Sequence, residues 1–112
     1  MTLPSERIAD HLAGRPIMVV GRAGMDIYPM PDGTRVEDAH ELVNDVGGSS
    51  GNIAVSIAKQ GHPVMLLSAV SNDGVGRFVT RSLGEHGVDT RHCFVTTVSY
   101  THLRAHETSQ NL

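Results

Sequence analysis

The six residues Gly47-Gly48-Ser49-Ser50-Gly51-Asn52 are the part of this chain best suited to chemistry. They open a stretch of helical period, and a helix N-terminus offers N–H groups and a dipole that favour an anion or an electron-rich oxygen. The same residues also make a tight turn into a helix. As a nucleotide motif they are incomplete: no Lys-Ser/Thr pair ends them, and a dinucleotide fingerprint would place its glycines directly after the first strand, a spacing that Gly21 and Gly24 also lack. Asp26 on its own reads as a loop acid capping a turn, and Asn52 suits a helix N-cap as well as a ligand. Asp73 reads as a turn former and N-cap. Arg22 is a loop cation able to meet a carboxylate but simplest as an exposed side chain. His62 and His86 each stand beside a helix-ending glycine and complement helix C-termini. His102 and His106, four apart with Glu107 adjacent, would share a helix face as a metal pair, but no third ligand stands nearby.

The elements that must position these residues follow from period and punctuation. Ser5 to Ala13 reads as a short amphipathic surface helix stopped by Gly14. Pro16 to Gly21 is an apolar run bounded by Pro and Gly, the pattern of a central strand buried on both faces. Residues 27–46, with Pro29, Pro31 and Asp32-Gly33, fit a helix about as well as two edge strands. Gly47 to Gly61 is a Gly-rich turn opening a helix, with Ile53, Ala54, Ile57 and Ala58 spaced to face a sheet. Pro63 to Val70 is a second buried strand. Asn72-Asp73-Gly74 leads into a helix to His86, with Val75, Phe78, Val79 and Leu83 inward, and His92 to Thr97 is a third strand. Strands alternating with helices imply an α/β fold with parallel strands joined by right-handed crossovers.

Length and composition narrow the function. The 112 residues make one ordinary domain at most, or a piece of a larger one. Nine Lys+Arg against twelve Asp+Glu give a formal charge of −3, and two Phe, two Tyr and no Trp leave few stacking platforms, so nucleic acid and anionic membranes are disfavoured partners. Cys93 is the only cysteine, which excludes an intramolecular disulfide and fits a reducing, cytoplasmic setting. The apolar runs are too short for a transmembrane helix.

The order Val-Val-Gly21, Asp26, a flap, Gly47-Gly48 with Asn52, and Val70-Ser-Asn-Asp73-Gly-Val-Gly76-Arg-Phe resembles the N-terminal part of the ribokinase-like, or PfkB, carbohydrate kinases over roughly residues 15 to 95. The wording GRAGMDIYP, GGSSGNIAV and VSNDGVGRF is nearest to the bacterial 5-dehydro-2-deoxygluconokinase branch of inositol catabolism. Two departures stand out: Ser50 where the family has Gly or Ala, and Val70-Ser71-Asn72-Asp73 for the usual Val-Gly-x-Asp. The resemblance implies a three-layer α/β sandwich with a mostly parallel sheet and a β-flap, the lid, at about 27–46, which in a parent enzyme could also form a homodimer. It implies sugar binding by Asp26, Gly47, Gly48 and Asn52. Polyol hydroxyls donate and accept at once, so a carboxylate, a carboxamide and backbone N–H groups complement them.

The resemblance also implies that the catalytic Asp, the phosphoryl donors and the ATP and Mg site belong to a C-terminal half, so no catalytic residue and no cofactor are expected in residues 1–97. The expected function is the sugar-binding portion of an ATP-dependent sugar kinase, inactive alone, acting on a sugar or sugar acid such as 5-dehydro-2-deoxygluconate. Two rivals remain: a non-catalytic small-molecule binding module, and the dinucleotide-binding domain of an oxidoreductase, which would need an acid at the end of the second strand that Ser68 to Val70 does not supply. Residues 98–112 show neither period. Val98 to Thr108 resemble a translated sequencing-library adapter, so the segment is expected to be a foreign tail outside the domain.

Overall fold

The computed structural model describes residues 3–97 and the backbone of 102–105. Helix α1 (Pro4–Leu12) starts at a proline, and the Leu3 N–H donates to Glu6 Oε2 at 3.0 Å; it buries no residue. Then follow β1 (Ile17–Val20), β2 (Gly24–Met30), a 3-10 turn (Val36–Asp38), β3 (Glu41–Gly47), α2 (Ser49–Lys59), β4 (Val64–Ser71), α3 (Gly74–Glu85), β5 (Cys93–Thr96) and β6 (His102–Ala105).

Strands β1, β4 and β5 form a parallel sheet in the order β1-β4-β5, with Ile17 beside Val64 and Ser68 beside Cys93. One face of β4 points Val64, Leu66, Ser68 and Val70 inward, as period 2 requires. Ala54 and Val55 of α2 and Val79 and Leu83 of α3 close over that face and complete the core. Gly76 lets α3 press onto β4, since a Cβ there would overlap the Ser71 carbonyl. The opposite face leaves Met18, Val20 and Phe94 exposed, so the sheet and one helical layer lie within the described residues.

Two expectations are corrected. Among the described residues β1 is not buried on both faces: it pairs with β4 alone, its residues alternate, and Val20 is 65% exposed. Ile53 points outward and is 52% exposed, because α2 turns its smallest residues, Ser50, Gly51 and Ala54, toward the end of β1 and the start of β2. Within the segment read as a tail, His102–Ala105 runs parallel to Gly24–Ile27. The edge of β2 away from β3 presents a row of backbone donors and acceptors, and an extended segment can pair there without any side-chain pattern. The rest of that tail, with the proposed metal pair His102 and His106, lies outside the described residues and side chains.

The ambiguous stretch 27–46 resolves into strands. β2 and β3 pair antiparallel, from Gly24 opposite Gly47 to Met30 opposite Glu41, and form the flap. Asp73 is the N-cap of α3: its Oδ1 accepts from Gly76 N at 2.9 Å and from the Ser71 hydroxyl at 2.6 Å. The Ser71 hydrogen bond, then the Gly76 N–H, hold its carboxyl below the ordinary carboxylate value. Asp89, in an ion pair of 2.7 Å with Arg91, is lowered to about 2.

Two predictions follow from these contacts. Carboxyl groups depressed in the folded state stabilise it fully above their unfolded pKa, and that contribution is lost as pH falls through the folded value. Acid titration monitored by circular dichroism should therefore show stability declining between the ordinary carboxylate value of 3.8 and about 2. Asp73→Asn combined with Asp89→Asn should flatten that limb, and an unchanged slope would refute the two contacts. Because β6 is a four-residue edge strand, truncation after Thr97 should move the thermal midpoint by less than about 5 °C, the equivalent of about 1 kcal/mol in a domain of this size. A larger drop would make β6 integral to the fold.

Candidate sugar-binding site

The site is built where α2 begins against the turn between β1 and β2. The ladder from β1 continues to Gly21, whose N–H donates to the Leu67 carbonyl at 3.2 Å. Gly21 has φ +150°, and a Cβ on it would run into the Ser50 hydroxyl, which itself donates to the Val20 carbonyl at 3.4 Å. Ser50, the departure noted in the sequence, is thus buried and fills the space above Gly21. Gly48 is the N-cap of α2 with φ +82°. A Cβ at Gly48 would lie 2.8 Å from the Arg22 carbonyl oxygen and 2.9 Å from Ala23 Cα, so both its conformation and its surroundings require glycine. The Gly51 N–H donates to the same Arg22 carbonyl at 3.2 Å.

Beyond this junction Asp26 lies on β2 opposite Asp45 of β3, and Gly24 lies opposite Gly47. Paired residues of an antiparallel ladder share a face, so the two glycines leave a bare patch beside the two carboxylates. The Asp26 carboxylate leans across it and occupies the space that a Gly47 side chain would need. Sequence reasoning singled out Asp26 and Gly47 separately, and the strand register brings them into contact. It missed Asp45, which can be found by counting back from Gly47 only once the two strands are known to pair.

Asn52 is not the N-cap. Gly48 holds that position, and the Asn52 N–H donates to its carbonyl at 2.9 Å as part of the first helical turn. The Asn52 side chain is exposed one turn into α2. No side chain caps the N-terminus of α2, and the Gly51 and Asn52 N–H groups are spent on the Arg22 and Gly48 carbonyls, so the Ser49 and Ser50 N–H groups, the Asn52 carboxamide and the Asp26 carboxylate are the groups suited to a hydroxylated ligand. A separate cavity of about 350 Å³ lies at the carboxyl end of β4, bordered by Val70, Asn72, Arg77, Arg81 and Val95, and none of Asp26, Gly47, Gly48 or Asn52 lines it. His62 Nε2 lies 2.9 Å from the Arg15 carbonyl and His86 Nδ1 2.7 Å from the Ser82 carbonyl, so His86 serves a helix C-terminus and His62 ties the α2–β4 turn to the segment before β1. Among the described residues no three His, Cys, Asp or Glu side chains converge as a metal site. Among them, too, no helix is long and apolar enough to cross a membrane.

The chain is 35% identical over 74 residues to 5-dehydro-2-deoxygluconokinase of Lacticaseibacillus casei, covering 66% of this chain and 23% of that protein. It is 38% identical over 72 residues to the enzyme of the same name from Photobacterium profundum, covering 64% and 22%. The chain thus spans about a quarter of the length of these curated relatives. The structure of 2-dehydro-3-deoxygluconokinase from Thermotoga maritima matches with a TM-score of 0.74 at 20% identity, over 82% of this chain and 28% of that one, a likeness of fold. Fructokinase with bound ATP from Xylella fastidiosa matches with a TM-score of 0.70 at 26% identity, over 81% and 29%. Residues 15–111 match the pfkB family carbohydrate kinase, and with the ribokinase-like α/β fold and the glycine-lined junction in place, the chain belongs to that family.

Proposed function

We propose that this chain is the sugar-binding, N-terminal portion of an ATP-dependent kinase that transfers the γ-phosphoryl group to a hydroxyl of an acidic sugar, with 5-dehydro-2-deoxygluconate as the acceptor. The observation that carries the reading is the Asp26 carboxylate laid across Gly47 beside the uncapped start of α2. A sugar lying on this patch would donate hydroxyl protons to Asp26 and accept from backbone N–H groups of the first turn, while Asn52 serves as both donor and acceptor. The names of the curated relatives support the choice of acceptor.

In this reading the chain binds and orients the acceptor and contributes no reacting group. Phosphoryl transfer needs a base for the hydroxyl proton, donors for the transferring group and a magnesium–nucleotide site. These belong to the portion of the relatives that this chain does not span, so the 112 residues alone are proposed to be inactive, and residues 98–112 to be a tail that is not native to the kinase. ATP use by the complete enzyme is supported by the ATP-bound relative. A cytoplasmic location fits the single cysteine. The exposed Tyr28, Leu42 and Val43 on the flap support a homodimer formed through the lid.

Tests belong in a chain completed to the length of its relatives. Asp26→Ala removes an ionised acceptor and leaves sugar hydroxyls unpaired, a loss of about 1.5–3 kcal/mol per charged hydrogen bond. Calorimetric titration should show sugar affinity falling at least about tenfold with ATP affinity unchanged; an effect confined to ATP would overturn the assignment, and sugar binding without any ATP turnover would favour the binding-module reading. Gly48→Ala must adopt a positive φ and displace the Arg22 carbonyl, so denaturant unfolding should show a loss of about 1–3 kcal/mol. A neutral substitution there would mean that the junction is looser than described.

A further inference from the structure

We propose that the cavity of about 350 Å³ at the carboxyl end of β4 is a second ligand site, distinct from the sugar patch, that takes a small phosphate monoester. Ligands of open α/β sheets bind outside the carboxyl ends of the strands, and this cavity lies there, bordered by β4, β5 and α3. Val70 and Val95 give it apolar surface, and Asn72, Arg77 and Arg81 supply polar groups. An apolar wall with a few convergent polar groups is the usual make-up of a small-molecule pocket.

The two arginines argue for a dianion. Arg77 and Arg81 stand one turn apart on α3, a spacing at which like charges repel. Neither has an ion pair among the described residues, although Glu85 follows Arg81 by one turn. The Asp73 carboxylate, which attracts Arg77, is engaged by the Ser71 hydroxyl at 2.6 Å and the Gly76 N–H at 2.9 Å. Gly76, in the first turn of α3, also borders the cavity, so the positive end of the helix dipole adds to the field there. What sets these two arginines apart from the others is the cavity they share. A phosphate monoester carries about −1.5 to −2 charges at neutral pH and offers three oxygens, which matches two guanidinium groups at one opening. A carboxylate, with one charge, would leave half of the repulsion in place. The apolar walls suit the carbon body of an ester better than they suit free phosphate.

The test uses the chain completed to the length of its relatives and the probes phenyl phosphate, inorganic phosphate and benzoate. Calorimetric titration should show phenyl phosphate binding at least about tenfold more tightly than either of the others. Arg77→Ala combined with Arg81→Ala should weaken phenyl phosphate at least about tenfold and leave the affinities for 5-dehydro-2-deoxygluconate and ATP within about twofold. A second measurement needs no variant: phenyl phosphate should slow the modification of Arg77 and Arg81 by phenylglyoxal, read by peptide mass spectrometry, and leave that of Arg7 unchanged. Absent binding, binding untouched by the double substitution, no protection of the two arginines, or benzoate binding as tightly would overturn the site. A loss of ATP or sugar affinity in the double variant would make the cavity part of the kinase site and overturn it as well. The site does not rest on the kinase reading, and its failure would leave the role of Asp26 intact.

Discussion

The site depends on one steric constraint, the direct backbone contact between the start of α2 and the turn that joins β1 to β2. Gly48 sits with no room for a side chain over Arg22 and Ala23, Gly51 bonds to the Arg22 carbonyl, and Ser50 fills the space above Gly21. These contacts tie three elements at one point: the parallel sheet through β1, the flap through β2 and β3, and the helical layer through α2. Each contact uses a residue with a small side chain or none, which is why the composition at 47–51 is Gly, Gly, Ser, Ser, Gly. A larger side chain would force the backbones apart, and close-packed interiors absorb such changes at a cost of about 1–3 kcal/mol.

From that junction the flap inherits its geometry. Strand alternation then decides which residues share a face: Gly24, Asp26, Asp45 and Gly47 lie together, and Met25 and Val46 point to the other side, where Val46 enters the core and Met25 packs against it. The result is a polar patch whose floor is main chain and whose walls are carboxylates. Such a surface is poorly suited to an apolar ligand and well suited to one with many hydroxyls, because each hydroxyl needs both a donor and an acceptor.

Much of this was legible in the sequence where local pattern and tertiary outcome coincide. β4, α3 and β5 were read within one or two residues, since Pro63, Asp73 and Gly87 punctuate apolar runs of the right period. The flap was implied by resemblance but not resolved by period, because Glu41 to Asp45 are all exposed and a strand without a buried face has no period to read. β1 was read as covered on both faces because an apolar run reads the same whether one or both faces are covered. Ile53 and Asn52 were misplaced for a single reason: the positive φ of Gly48 sets where α2 starts, and the tight contacts of Ser50 and Gly51 set its rotation, neither of which is a local signal. Asp26, Gly47 and Gly48 were singled out by resemblance, but the contact of Asp26 with Gly47, and the place of Asp45 beside them, required the register of two strands.

The most direct measurement of the central claim is a crystal structure of the completed kinase with 5-dehydro-2-deoxygluconate bound. The account predicts sugar hydroxyls within hydrogen-bonding distance of the Asp26 carboxylate, the Asn52 carboxamide and the backbone at Gly47 and Gly48, with the contact between Gly48 and Arg22 unchanged. A sugar bound instead in the cavity between Arg77, Arg81 and Val95, with Asp26 left in solvent, would contradict it.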